Sequence, residues 1–299
     1  MQITEPSTEQ NHKLAIPLMI VATALIAATS LIAKMIGKGV LGEPFHPLVI
    51  TFGRFAFATI ALWSVAAFLR PTFRSIHWRL HLGRTTSGWI GVTLMFTAVA
   101  YIPLADATAI SFLNPVFAMV FAILLLGERV GRWRWAAAAI SLCGAMILLR
   151  PGMGVLEMGA LIALGSAMVL GFEVVLIKKL AGREAPFQVL LVNNGIGLVI
   201  ASLAAALVWT TPTWQQWLAL AAIGCLMAAA QACYLNAVAR ADASFVVPFS
   251  YTALLFAALY DSLVFGVVPD ALSWTGACVI VAGAALLAWR EARARKLRA

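Results

Sequence analysis

Five ionisable side chains stand inside or at the edge of long apolar runs, where a charge is costly unless it is paired or used. Glu173, in MVLGFEVVLIKKL, could meet a substrate amine or take a proton, or pair at the interface with nearby Lys178. Arg54, in FGRFAFA, could hold a substrate carboxylate, or bond backbone carbonyls and reach for the helix end. Lys34 stands 139 residues before Glu173, so opposite charges at related positions could form a central pair; outward snorkelling is the alternative. Asp261, in ALYDSLVFG, is a candidate proton carrier or an interfacial acid. Glu128, beside Arg129 and Arg132, fits a local salt bridge that could lock the inward side.

Neutral polar residues can bond a ligand without burying charge. Asn114, Asn193, Gln231, Tyr234, Tyr251 and Tyr101 are the candidates, with helix-to-helix hydrogen bonding as the plainer role. Gln231 and Tyr234 are three apart and so share a helix face.

Other patterns carry less. His77 and His81, in FRSIHWRLHLGR, have the spacing of a metal pair, yet no carboxylate or cysteine accompanies them locally; a basic amphipathic surface segment is expected. GKGVLG at 37–42 fits a dinucleotide fingerprint but lacks the strand before it and the helix after it. Neither a P-loop nor HExxH nor GxSxG is present, which argues against an ATP-driven pump or a common hydrolase. Cys143, Cys225, Cys233 and Cys278 all lie in apolar stretches and are expected as small buried residues without disulfides. No catalytic residue, metal or cofactor is assigned.

The elements that must carry these residues follow from composition. The 299 residues are 63% hydrophobic and only 11% charged, with a mean hydropathy of +0.95. Soluble domains are nearer half apolar and a quarter charged, so the bilayer is the expected solvent. Apolar runs of spanning length occur at 14–36, 47–69, 86–104, 107–126, 133–150, 158–178, 187–209, 214–236, 243–265 and 272–289. Asp106 is the expected N-cap of the fourth run, which holds Asn114 and Pro115 near its start and ends at Gly127. Most tryptophans, including Trp78, Trp89, Trp133, Trp135, Trp209, Trp214 and Trp217, fit an interfacial belt. With the N-terminus inside, 17 Lys and Arg fall on the inner side and 3 on the outer, which predicts ten spans with both termini cytoplasmic. The net charge of +9 is thus a topology signal and not a nucleic-acid one.

An offset of 139 superposes Pro47 on Pro186, Gly127 on Gly266, Trp135 on Trp274 and Gly144 on Gly283. Each unit holds five spans, an odd number, so the second copy enters the membrane in the opposite sense, as in many transporters. The stretch from Asn114-Pro115 through LLLGERV to Gly144, with FGRFAFA, resembles the drug/metabolite transporter superfamily, in its ten-helix form with two EamA-type repeats. The resemblance spans about 14 to 289 and departs where Val267 replaces the family's Glu and Asn193 stands opposite Arg54.

The resemblance implies an all-α membrane protein with repeats at 14–150 and 157–289 around a central cavity. Tails at 1–13 and 290–299 flank them. It also implies export of small metabolites across a bacterial inner membrane, in many relatives amino acids, including aromatic ones. Cationic drugs or nucleosides are alternatives. The rival classes are a membrane-embedded enzyme, disfavoured because all four histidines lie outside the spans or at their ends, and a channel, which would lack differential binding in two states. The partners expected are a small molecule and the bilayer; monomer and homodimer both stay open.

Overall fold

The computed structural model describes residues 12–71, 73, 75–127, 131–149, 158–180, 183–240 and 247–296. They form α1 (His12–Gly37), α2 (Pro47–Leu69), α3 (Trp78–Tyr101), α4 (Leu104–Ser111), α5 (Asn114–Leu126) and α6 (Arg132–Leu149). There follow α7 (Met158–Leu180), α8 (Pro186–Ala206), α9 (Trp214–Arg240), a 3-10 turn at Val247–Tyr251, α10 (Thr252–Phe265) and α11 (Ala271–Lys296). No strand occurs among the described residues. Among the described residues six stretches are long and apolar enough to cross a membrane: α1, α2, α4 with α5, α7, α8 and α9. The apolar parts of α6, of the 3-10 turn with α10, and of α11 are shorter. Large apolar side chains such as Phe68, Leu207 and Leu263 lie on the outside, as they do when hydrocarbon replaces water.

Proline and glycine punctuate the helices. Pro47 and Pro186 stand in the first turns of α2 and α8, where the missing N–H costs nothing. Pro115 does the same for α5 and does not kink a continuous helix; the chain at Phe112–Leu113 tightens into i→i−3 bonds, separating α4 from α5. Gly127 and Gly266, 139 apart, end α5 and α10 in the left-handed conformation, at φ 65° and 66°.

Four expectations change here. The third helix begins at Trp78 and not near 86, so the part of the expected surface segment from Trp78 to Arg84 is its first two turns, with His81 and Arg84 buried. Trp89 therefore sits mid-helix with its Nε1 buried, outside any interfacial belt. Asp106 is not the cap of α4: Pro103 holds that position, and Asp106 instead accepts from Ser273 Oγ at 3.2 Å. The cysteines are unpaired as expected, but Cys143, Cys225 and Cys278 face outward, where apolar surroundings need not mean protein.

Packing is interleaved. α1 lies against α9 and α3 against α7; α1 also contacts α10, and α7 contacts α5. α2 packs on both α8 and α9, and α6 on α11. Glycines set the closest approaches. A Cβ on Gly144 would meet Ile280 N at 2.6 Å and Gly276 O at 2.7 Å; one on Gly283 would meet Ser141 N at 2.6 Å and Ala137 O at 2.8 Å. The two contacts are reciprocal, and Ile280 and Gly276 stand 139 residues after Ser141 and Ala137.

Candidate functional site

Three polar groups interrupt the apolar packing. The first joins α2, α3 and α7. Gly88 leaves the room that Glu173 fills: a Cβ there would meet the carboxylate oxygens at 2.9 and 3.0 Å. Arg84, one turn before Gly88, places its Nε 3.4 Å from Glu173 Oε1. That is ion-pair distance without hydrogen-bond alignment, since the same Nε has no bonding partner. Its Nη1 donates to Val189 O on α8 at 3.3 Å. Arg54, 6% exposed, is drawn to Glu173 and repelled by Arg84. Its guanidinium carbon lies 4.4 Å from the Phe55 ring centroid, while Nε and Nη1 find no acceptor. Two cations thus share one carboxylate.

Polar groups from the neighbouring helices border this cluster. Thr51 and Thr93 join α2 to α3 at 3.0 Å. Arg54 and Trp89 lie one turn from that contact, on the same side because the helices run antiparallel. Trp89 Nε1 is another buried donor without an acceptor. Thr85 Oγ1 donates to Asn193 Oδ1 at 3.0 Å, which occupies Asn193 between α3 and α8. Asn194 donates to Leu190 O at 2.9 Å and leaves its buried Oδ1 without a donor, as does Gln231 Oε1 on α9.

The second group replaces the pair expected between Lys34 and Glu173. Lys34 Nζ instead donates to Asp261, at 2.5 Å to Oδ1 and 2.7 Å to Oδ2. Asp261 Oδ2 also accepts the Leu104 amide at 2.7 Å, satisfying the first turn of α4 from another helix. Both side chains are 1% exposed, so each is enclosed by protein and Lys34 does not snorkel outward. Glu173 cannot serve as the partner because it faces α3.

The third group lies at the opposite end of α3. Glu184, between α7 and α8, accepts from the His77 amide at 2.9 Å and from Gln188 Nε2 at 2.7 Å. Its oxygens also lie 3.0 Å from His77 Nδ1 and 2.9 Å from His81 Nε2. Burial alone would push this carboxyl up, but the bonds from His77, His81 and Gln188 outweigh it and hold the group down at about 2. The carboxylate missing from the local sequence around the histidines is therefore supplied from more than a hundred residues away.

Other candidates stand apart. Tyr101, at the end of α3, is 68% exposed, and Tyr234 is 41% exposed. Tyr251 packs edge-on to Phe112 at 5.1 Å, and Asn114 opens α5, whose backbone there lies against Gly171 of α7. Among the described residues no hydrogen bond or ion pair joins these four to Arg54, Arg84 or Glu173. Glu128 lies outside the described residues. Sequence reasoning missed Arg84, Trp89 and Glu184. A signal existed for the first: Arg84, Gly88 and Gly91 recur at i, i+4 and i+7, a face that only an earlier helix start makes visible.

Comparison with known proteins agrees with this architecture. The model of the EamA-like transporter family matches residues 13–150 and again 157–289. A riboflavin transporter of Vibrio cholerae is 32% identical over 77% of this chain and 78% of its own. A riboflavin transporter of Rhizobium johnstonii is 34% identical over 72% of each. A pseudopaline exporter of Pseudomonas aeruginosa is 29% identical over 67% of this chain and 71% of its own. One solved crystal structure superposes with a TM-score of 0.56 over 99% of this chain and 100% of that one; at 21% identity it speaks to the fold alone. With its two family matches covering most of its length, this multi-pass membrane protein belongs to the EamA-like transporter family.

Proposed function

We propose that the protein is a secondary transporter that carries a small polar metabolite by alternating access, with no chemical step. The observation that carries this reading is the Arg54–Arg84–Glu173 cluster, buried where α2, α3 and α7 converge. Such intramembrane charge is too costly to be left unmatched without a use.

The chain is read as ten spans in two inverted repeats, 14–150 and 157–289, around a central site. Support comes from the double family match and from the reciprocal Gly144 and Gly283 contacts. The interleaved packing also supports it: exchanging residues by 139 turns the α1–α9 contact into α7–α3, and α5–α7 into α10–α1. The Lys34–Asp261–Leu104 group and the Glu184 group lie toward opposite ends of α3 and join different helices. Each closes one end, and each must open when its side is exposed. The protein sits in a bacterial inner membrane with both termini cytoplasmic, which terminal reporter fusions test directly.

Riboflavin is the first substrate to examine, because two relatives at 32% and 34% identity bear that name. An amino acid, aromatic or hydrophobic, is the second. Cations and a carboxylate in one cluster suit a zwitterion, whose carboxylate would meet Arg54 and whose ammonium would meet Glu173. Direction, uptake or export, follows the gradient. Counterflow of labelled riboflavin and labelled L-tryptophan in proteoliposomes decides between them, and linear, non-saturating flux of both refutes the carrier reading.

A further inference from the structure

Arg54 is 6% exposed, yet neither its Nε nor its Nη1 makes a hydrogen bond. Attraction to Glu173 and repulsion from Arg84 act on its charge, but charge alone fixes no orientation for a planar group on a long side chain. The directional contact is the Phe55 ring, whose centroid lies 4.4 Å from the guanidinium carbon. Phe55 is itself 2% exposed, and its place is set by another helix. A Cβ on Gly197 of α8 would lie 2.9 Å from Phe55 Cζ and closer still to Cε1 and Cδ1, so the missing side chain makes a notch that seats one ring edge. One turn further along α2, Thr59 Oγ1 donates to Asn194 O at 3.0 Å and pins the register of the two helices.

This contact crosses between the repeats. α2 lies in the first family match and α8 in the second. Asn194 stands 139 residues after Phe55, and Gly197 139 after Ala58, so equivalent faces meet. Their chemistry differs: one side presents a ring beside Arg54, the other Asn194 beside Asn193. We infer that Phe55 and Gly197 are positioning residues of the transport site. The Phe55 ring, seated at Gly197 on the opposite repeat, holds the Arg54 guanidinium in place for the substrate. This rests on the transport reading above. Alternating access moves one repeat against the other, so a shift of α8 along α2 unseats the ring and frees Arg54. Affinity then changes with the access state, as it must in a carrier that binds on one side and releases on the other.

The test uses the full chain in proteoliposomes, with labelled riboflavin and labelled L-tryptophan as counterflow probes. Phe55→Leu removes the ring face without adding bulk, and Gly197→Ala fills the notch. Each is expected to raise KM about ten- to thirtyfold, the worth of a desolvated ring–cation contact, with maximal rate changed little. The double variant should match the worse of the two, because both act on one contact. In an Arg54→Gln background neither should raise KM further, whereas a general packing role would harm transport there to the same degree. Where Arg54→Gln carries too little flux to measure, the double variant decides; where Gly197→Ala does not fold, Phe55→Leu with and without Arg54 decides. An unchanged KM in Phe55→Leu, a double variant equal to the product of the two single effects, or equal effects with and without Arg54, overturns the inference while saturable wild-type flux leaves the transport reading standing. No saturable wild-type flux of either probe overturns both.

Discussion

Removing one member of the Lys34–Asp261 pair should cost far more than removing both. Each side chain is 1% exposed, and the lysine bonds both carboxylate oxygens. Lys34→Met leaves the carboxylate with only the Leu104 amide, and Asp261→Asn leaves an ammonium facing a neutral amide. Stranding one buried charge costs about 3–5 kcal/mol. The double variant removes both charges, while the side-chain amide oxygen introduced by Asp261→Asn still caps the first turn of α4; its expected cost is only about 1–2 kcal/mol. A double-mutant cycle should therefore give a coupling energy of at least about 4 kcal/mol. Reversible unfolding in mixed micelles, followed by helical circular dichroism, measures it. Additive single-variant costs, or single variants within about 1 kcal/mol of wild type, would refute the argument that the pair is dry and tightly coupled.

Three further outcomes are expected. Glu184 is held at about 2 against an ordinary 4.5, so its contribution is fully present above that ordinary value and is lost as pH falls from about 4.5 through about 2. The full shift corresponds to about 3 kcal/mol, and unfolding across that window should lose its pH dependence in Glu184→Gln; an unchanged slope would remove the histidine clamp from the account. Gly144→Ala and Gly283→Ala should each destabilise the α6–α11 contact by about 1–3 kcal/mol, because the added Cβ meets backbone within 2.8 Å in both cases. Thermal unfolding in detergent would show it, and tolerance of either would mean the two helices separate at little cost. Glu173→Gln should slow counterflow at least about tenfold by leaving Arg54 and Arg84 without an acid; a rate and pH profile equal to wild type would end any role for that carboxyl in proton coupling.

Much of the fold was legible because hydropathy and proline report on the chain locally. Pro47, Pro186, Gly127 and Gly266 mark helix boundaries in the sequence and stand at those boundaries in space. The errors fell where polarity misled. Arg79, His81 and Arg84 made the start of α3 look like a surface segment, since a window average counts a polar residue against a span whichever way it faces. The candidate site was half legible for a similar reason. Glu173, Arg54, Lys34 and Asp261 stood out as charges in oil, but Arg84 and Trp89 were absorbed into a loop count and a belt.

By itself the sequence determined that the chain belongs in a bilayer, roughly where its helices start and stop, and that two halves repeat at an offset of 139. These are properties of composition and short-range order, which the solvent and the backbone read residue by residue. Only the tertiary structure decided which charges meet. Lys34 finds Asp261 at a separation of 227 residues, and His77 finds Glu184 at 107. Complementary charges in one sequence have many possible pairings. Helix packing selects among them by direction, through glycines such as Gly88 that open a space on one face and nowhere else. The same packing leaves Arg54 buried with Nε and Nη1 unbonded, a state no pattern of residue types could display.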